Sequence, residues 1–172
     1  SNSNSFFQNR NVFEEFEAIV NSGISESKNK AKKIRIWCVG CGRGEEAYSI
    51  ALLLEELGGV EYEIVATDSN SAVLKFAEEG AYSQFQAQNG LPSKLLLKYF
   101  TRSMKTKTQA SFVVGKAIKS KIDFRHFSLQ AKFNKLGDFD YIFCNHVFHP
   151  TPSGANSILL QKFHESLIEN GK

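Results

Sequence analysis

The sequence predicts an α/β fold with a mostly parallel central sheet and helices on both faces, and three observations predict it. Residues 34–39 (IRIWCV) form a short apolar run with a β-branched and aromatic bias, the pattern of a buried strand. That run breaks into Gly40, Gly42 and Gly44, and a helical pattern follows at once, with Ala47, Ile50, Ala51, Leu54 and Leu57 three or four apart. A second apolar run, residues 62–67 (YEIVAT), then ends on Asp68. Strand, glycine turn and helix open a nucleotide-binding α/β domain. The glycines let the backbone turn sharply and let a ligand approach where a Cβ would block it.

The turn reads G-x-G-x-G and runs into Glu45 and Glu46. It has neither the G-x-G-x-x-G spacing of dinucleotide enzymes nor the Lys-Ser/Thr ending of a phosphate-gripping loop. Two carboxylates in the first helical turn would repel a phosphate. They suit a ligand with a positive amino group and no phosphate, and S-adenosylmethionine (SAM) is that kind of ligand. The plainer reading is that the pair only balances the helix dipole. Asp68 lies about 20 residues beyond the turn, where a strand-end carboxylate can accept both ribose hydroxyls. Its plainer reading is a helix cap, a job that Asn70 or Ser71 can do beside it.

Length and composition set the bounds. A chain of 172 residues has room for one domain, read here as spanning 1–172. A formal charge of +3 is mildly basic, and no nucleic-acid motif accompanies the lysines, so no nucleic-acid partner is expected. No apolar run reaches the roughly 18 residues a membrane span needs. Three cysteines, an odd number, point to a reducing interior and a cytoplasmic location. Cys38 and Cys41 spell C-x-x-C, but in a strand and a turn rather than at the helix start that redox chemistry uses.

The remaining elements follow in order. Residues 6–20 carry a helical stripe that ends before Asn21 and Gly23, and residues 25–33 form a lysine-rich linker. The helix after the glycine turn closes at Gly58-Gly59. Residues 72–79 form a second helix stopped by Gly80, and residues 91–100 a third, with Pro92 in its first turn. Residues 111–114 and 117–124 alternate around Gly115 and read as antiparallel strands, so a small β excursion is expected within 111–127. Its end, residues 122–127, returns to the main sheet. Residues 138–147 (DFDYIFCNHV) read as another central strand, and residues 155–168 as an amphipathic helix stopped by Asn170-Gly171.

By these residues the chain resembles the chemotaxis-receptor glutamate methyltransferases (the CheR type). The resemblance rests on Phe6-Phe7, on GEEAYSIA from Gly44 to Ala51, on ATDSN around Asp68, on LLLKYF, and on FDYIFCNHV from Phe139 to Val147. It implies the SAM-dependent methyltransferase (Rossmann-like) fold, with S-adenosylhomocysteine as product and a protein carboxylate as acceptor. It further implies that Gly40, Gly42 and Gly44 cradle the methionine end of the cofactor and that Glu45 or Glu46 takes its amino group. Asp68 would hold the ribose. Ser128 and Leu129 would meet the adenine, with Ser128 standing where the family usually has Asn. The β excursion resembles the small β-subdomain with which the family contacts receptors.

The departures cluster near the reaction centre. The family's T-x-F-F-R reads here as Asn4-Ser5-Phe6-Phe7-Gln8, so its arginine is absent. Its C-R-N-V-x-I-Y-F reads as Cys144-Asn145-His146-Val147-Phe148-His149-Pro150-Thr151, so a second arginine and a tyrosine are replaced. Asn145, His146 and His149 are therefore the candidate catalytic residues, the histidines as bases toward a weaker nucleophile. Polar lining of the site mouth is their plainer role, and no metal is expected because the H-x-x-H lacks helical register. Two functions stand: a methyltransferase acting on a protein carboxylate or related acceptor, and a degenerate domain that binds SAM or a protein partner without turnover. The family's further C-terminal strands and N-terminal docking domain are not matched, so a fragment is expected, with pairing of an open sheet edge in a homodimer as the alternative.

Overall fold

The structure, a computed structural model, describes residues 5–26, 33–104, 107–128 and 136–144. In chain order the elements are α1 (Arg10–Glu26), β1 (Ile34–Val39), α2 (Glu45–Leu57), β2 (Tyr62–Asp68), α3 (Ser71–Glu79), β3 (Ala81–Ser83), α4 (Gln84–Gln88), α5 (Ser93–Tyr99), β4 (Phe100–Met104), β5 (Ala110–Val114), α6 (Lys116–Lys119), β6 (Ile122–His126) and β7 (Tyr141–Phe143).

The main sheet has the order β6-β2-β1-β7 and every pair in it is parallel. Parallel neighbours need a crossover, and α2 supplies the one between β1 and β2, where Ile36 pairs with Ile64 and Cys38 with Ala66. The chain builds outward from β1 through β2 to β6, then returns to the other side of β1 as β7. That reversal leaves a crevice at the carboxyl end of β1, the position where open α/β sheets hold ligands.

Period-two alternation gives the sheet two apolar faces. Ile36, Cys38, Ile64 and Ala66 enter the larger core with Ala47, Ile50, Ala51 and Leu54 of α2. Trp37, Val39 and Val65 face the other way with Leu136 and Phe139. Helix α1 closes the first face through Phe16, whose ring meets those of Tyr141 and Phe143 edge-on at 5.1 and 5.0 Å. Trp37 is fully buried, stacks on Phe139 at 5.5 Å and donates Nε1–H to Thr67 Oγ1 at 2.9 Å.

At the amino end of β1, Arg35 gathers the segment that leads into β7. Its guanidinium donates to the carbonyls of Asp138 (2.7 Å) and Leu136 (3.1 Å), lies over the Phe139 ring at 4.7 Å, and approaches Glu63 at 3.4 Å. Gly137, at φ +86°, leaves the space a Cβ would take 2.7 Å from Nη1. The main chain of Arg35 closes the clasp by donating to Asp140 Oδ2 at 2.9 Å and accepting from the Asp140 N–H at 2.8 Å.

A second, antiparallel sheet has the order β3-β5-β4. It corrects the expected extent of the β excursion. Of residues 111–127, only 111–114 belong to this sheet. It begins earlier, at β3 and β4, and ends at Val114. Residues 117–124 are not an antiparallel strand. Gly115 (φ −62°, ψ 150°) instead leads into one helical turn, α6, closed by the Lys119 N–H on the Gly115 carbonyl at 3.1 Å. The apparent alternation came from a single buried apolar residue of that turn, Ile118, followed by the start of β6. Strand β6 itself pairs with β2 in the main sheet, as expected.

Three other boundaries differ. Helix α1 starts at Arg10 rather than near Phe6 because Phe7 (φ +51°) and Asn9 (φ +62°) cannot lie in a right-handed helix. It then runs through Asn21 and Gly23 to Glu26. The third expected helix ends at Tyr99, where Phe100 turns extended (φ −119°, ψ 148°) and opens β4. Of the strand expected over 138–147, β7 takes Tyr141–Phe143, and residues 138–140 form the clasp with Arg35. The remainder of that strand, the expected helix over 155–168 and the C-terminal end of the sheet lie outside the described residues. Among the described residues, β7 forms the edge of the main sheet.

Candidate functional site

The apolar run of β1 delivers the chain to the carboxyl edge of the sheet, where Gly40, Gly42 and Gly44 take φ of +67°, +56° and +96°. Only glycine adopts such values without strain. The turn is bound to β2 through the Cys41 N–H, which donates to the Thr67 carbonyl at 2.9 Å. Gly44 has a second reason to lack a side chain. A Cβ there would meet the Tyr48 ring at 3.0 Å, the Tyr82 hydroxyl at 3.1 Å and the Ala77 methyl at 3.2 Å. At this glycine the protein's own packing, not a ligand, fills the space.

Two tyrosines hold the outer wall of the turn. Tyr82 of β3 donates its hydroxyl to the Arg43 carbonyl at 2.7 Å, and Tyr48 of α2 donates to the Ala77 carbonyl at 2.6 Å. Burial raises the pKa of both phenols, so they remain neutral donors. The Arg43 guanidinium lies over the Phe76 ring at 5.1 Å.

Asp68 ends β2 beside the turn. One carboxylate oxygen accepts the Gly42 N–H at 3.0 Å and the other accepts the Asn70 N–H at 2.9 Å. Capping of α3 falls to Asn70, whose side chain accepts from the N–H groups of Ala72 (3.0 Å) and Val73 (3.3 Å). Asp68 is thereby free of the capping role, and two backbone donors fix its orientation. Each oxygen keeps a further lone pair for a hydroxyl. The Phe127 N–H donates to the Asp68 carbonyl at 3.1 Å, and His126 Nε2 sits 3.0 Å from the Ser69 carbonyl. These contacts bring exposed Ser128 to the same edge.

The two glutamates of α2 are not equivalent. Glu46 is half-buried and accepts the Cys38 thiol at 3.4 Å. Glu45 is only 6% exposed, and its Oε1 has no hydrogen-bond partner among the described residues. Burial raises its pKa above the ordinary carboxylate range, opposed by a backbone hydrogen bond and by the Arg43 charge. The helix dipole therefore does not account for Glu45, since a carboxylate that served only the dipole would stay solvated. Cys38 and Cys41 are buried, and burial, with the charges of Glu46 and Asp68, keeps both thiols protonated. Such thiols are inert, which fits their place in a strand and a turn.

The structure thus brings together Gly40, Gly42, Gly44, Glu45, Glu46, Asp68 and Ser128 at one sheet edge. Leu129, Asn145, His146 and His149 lie outside the described residues. Among the described residues no group of three His, Cys, Asp or Glu could hold a metal ion. Sequence reasoning missed the roles of Tyr48 and Tyr82. The string Gly44 to Ala51 contained Tyr48, but read as helix periodicity it gave no hint of its hydrogen bond.

The acceptor set, Asp68 on one side of the turn and the glutamates on the other, fits a cofactor with ribose hydroxyls at one end and an ammonium at the other. Solved structures share this fold. The DszA carbon methyltransferase matches with a TM-score of 0.60 at 17% identity over 95% of this chain and 33% of its own. The glycopeptide N-methyltransferase MtfA, complexed with sinefungin, matches with a TM-score of 0.50 at 11% identity over 90% of this chain and 47% of its own. The fold is that of SAM-dependent methyltransferases. Over residues 2–172 the sequence matches the family described as "CheR methyltransferase, SAM binding domain", and the chain belongs to that family. Chemotaxis protein methyltransferase Cher2 of Pseudomonas putida is 30% identical over 165 residues, 91% of this chain and 58% of the relative. Chemotaxis protein methyltransferase of Borreliella burgdorferi is 33% identical over 168 residues, 94% of this chain and 55% of the relative. The chain spans little more than half the length of either.

Proposed function

We propose that this domain binds SAM at the carboxyl end of β1 and transfers its methyl group to a carboxylate on a protein acceptor. The observation that carries the reading is Asp68, held by the Gly42 and Asn70 N–H groups beside a glycine turn that leads into two acidic residues. When bound, the cofactor supplies an activated methyl group on a sulfonium. Asp68 accepts the ribose hydroxyls, the turn offers its backbone to the methionine portion, and the acidic start of α2 takes the ammonium. Ser128 and Leu129 border the adenine. A glutamate carboxylate is already a nucleophile at neutral pH, so the chain needs no general base, and its contribution is position and charge.

The acceptor is a protein, and the second sheet supports a partner surface. A cavity of about 560 Å³ opens between the glycine turn and this sheet, lined by Arg43, Phe76, Tyr82, Phe85 and Thr108. Phe85 is 83% exposed there. A cytoplasmic protein fits three free cysteines, and among the described residues no helix is long and apolar enough to cross a membrane.

A second reading is a domain that binds cofactor without turnover, favoured by Gln8 and Asn145 where the family pattern has arginines. Calorimetric titration with SAM and S-adenosylhomocysteine, with Asp68→Ala as control, tests the cofactor site. Micromolar binding lost in the variant is the expected result. Methyl transfer from labelled SAM to candidate acceptor proteins then separates the two readings, since the second predicts binding with no label transferred.

A further inference from the structure

The glycine turn carries one cationic side chain, Arg43, and its place on the turn is informative. On one side of it the Gly42 N–H donates to Asp68 at 3.0 Å. On the other, Gly44 has no side chain and Glu45 opens α2. The methyl-bearing sulfur of SAM lies between the ribose and the ammonium. Between the residues proposed for those two groups, Arg43 is the side chain that the turn offers. Its carbonyl is fixed by the Tyr82 hydroxyl at 2.7 Å, and its guanidinium lies over the Phe76 ring at 5.1 Å. The ring contact steadies the cation without using its N–H donors.

Arg43 is exposed, and among the described residues no carboxylate comes within ion-pair distance of it. Other cations of the chain are engaged: Arg35 with Glu63, Lys98 with Glu56, Lys121 with Glu55 and Arg125 with Asp123. Glu45 is the carboxyl that feels the Arg43 charge, and it does so from a buried position. Arg43 also lines the cavity between the turn and the second sheet. The described residues lining that cavity include no carboxylate and no other cation; the rest are aromatic, small or amide side chains. A lone positive charge on a neutral wall beside the methyl donor is a receptor for an anion.

We propose that Arg43 anchors the carboxylate of the acceptor, in a chain that has Gln8 and Asn145 where the family pattern has arginines, and that it distinguishes the acid from its methyl ester. This rests on the methyl-transfer reading above and names the residue that selects its substrate. A guanidinium fork binds a carboxylate through charge-assisted hydrogen bonds and leaves further oxygen lone pairs available. One such lone pair forms the O–CH3 bond as the S–CH3 bond breaks. The electron pair of the broken bond stays on sulfur, and no proton moves. The ester so formed is neutral, loses its charge-assisted bonds to Arg43 and leaves. Arg43 thus draws in the substrate without holding the product.

Fluorescence anisotropy with two labelled peptides tests this, on protein saturated with S-adenosylhomocysteine. One peptide is a run of glutamates, and the other is the same run as γ-methyl esters. The expected result is that the wild type binds the acid about tenfold or more tighter than the ester, and that Arg43→Gln and Arg43→Met abolish this preference. Lys94→Gln removes an equal charge from the exposed face of α5, outside the cavity, and should weaken the acid less than about twofold. Calorimetry with S-adenosylhomocysteine, expected within about threefold of wild type for each variant, reports that the turn is intact. Equal weakening by Lys94→Gln and the Arg43 variants would mean general attraction to a basic surface, and overturns the proposal. So does a wild type that holds S-adenosylhomocysteine but binds acid and ester alike, or neither. A wild type that does not bind S-adenosylhomocysteine overturns the cofactor reading and this proposal with it.

Discussion

The two ends of β1 are built on opposite terms. At the amino end, Arg35 spends its guanidinium on two carbonyls, a carboxylate and an aromatic ring, and its backbone is paired with Asp140. At the carboxyl end, Asp68 keeps lone pairs to spare, Glu45 is buried with an unpartnered oxygen, and Gln8 is held between two neighbours at positive φ. One end engages all three nitrogens of its guanidinium, and the other leaves buried acceptors unfilled. Buried, unfilled acceptors destabilise a folded chain unless something else completes them. The polar contacts that stabilise β1 are therefore concentrated at the end away from the proposed ligand site.

Substitutions at each end should separate these roles. The largest effect is expected for Gly44→Val, which forces a β-branched residue to φ +96° and its Cβ against Tyr48, Tyr82 and Ala77. Urea denaturation should register a loss of about 3 kcal/mol or more. A near-native midpoint would mean that the turn is not fixed by its packing. Next is Arg35→Met, which strips the clasp of its polar contacts. About 2 kcal/mol of stability should go, with S-adenosylhomocysteine affinity untouched. An equal loss of affinity would erase the division between the two ends.

Glu45→Gln should do the reverse, gaining about 1 kcal/mol near neutral pH while losing ligand affinity. The sign follows from the raised pKa of Glu45. Between the ordinary carboxylate range and that raised value, the folded state keeps a proton that the unfolded state has lost. Stability is therefore higher below this window and falls as pH rises through it. Thermal melts across this range should show the decline in the wild type and a flatter profile in the variant. The smallest effect belongs to Glu56→Gln on the surface. Hydrogen bonds from Lys98 and Tyr99 lower the Glu56 pKa, so its contribution is present above the ordinary carboxylate range and fades as pH falls through the lowered value. Being solvent-screened, it should change stability by less than about 0.5 kcal/mol.

Elements with strong periodicity or sharp punctuation were legible in the sequence. β1, α2, β2 and α3 each carry an unbroken apolar pattern that ends on glycine or Asp68, and the structure matches them to within a residue or two. The short elements β3, α4, β4 and α6 were not legible. Three to five residues cannot display a period, and Phe100 passes from helix to strand with no glycine or proline to mark the change. At the site, glycine spacing and charge identified the turn and the acidic residues. They did not distinguish Glu45 from Glu46, because both occupy the first turn of α2 and only the third dimension sends one inward. Gln8 was visible as a departure from a motif, but the shielding of its Oε1 was not, and the neighbouring Phe7 is held by a hydrogen bond to Ser49, 42 residues away in sequence.

The clasp at Arg35 also sets an order of events. Its partner Asp140 lies 105 residues further along the chain, whereas β2 follows β1 across a single helix. As the protein emerges from the ribosome, β1 and β2 can pair early, while the other edge of β1 waits for nearly the whole described chain to be made. During that interval a buried strand of the finished fold is an open template, the kind of transient surface on which chaperones and misassembly both act. Among the described strands, the one this arginine secures is the last to be made, and its docking closes that interval.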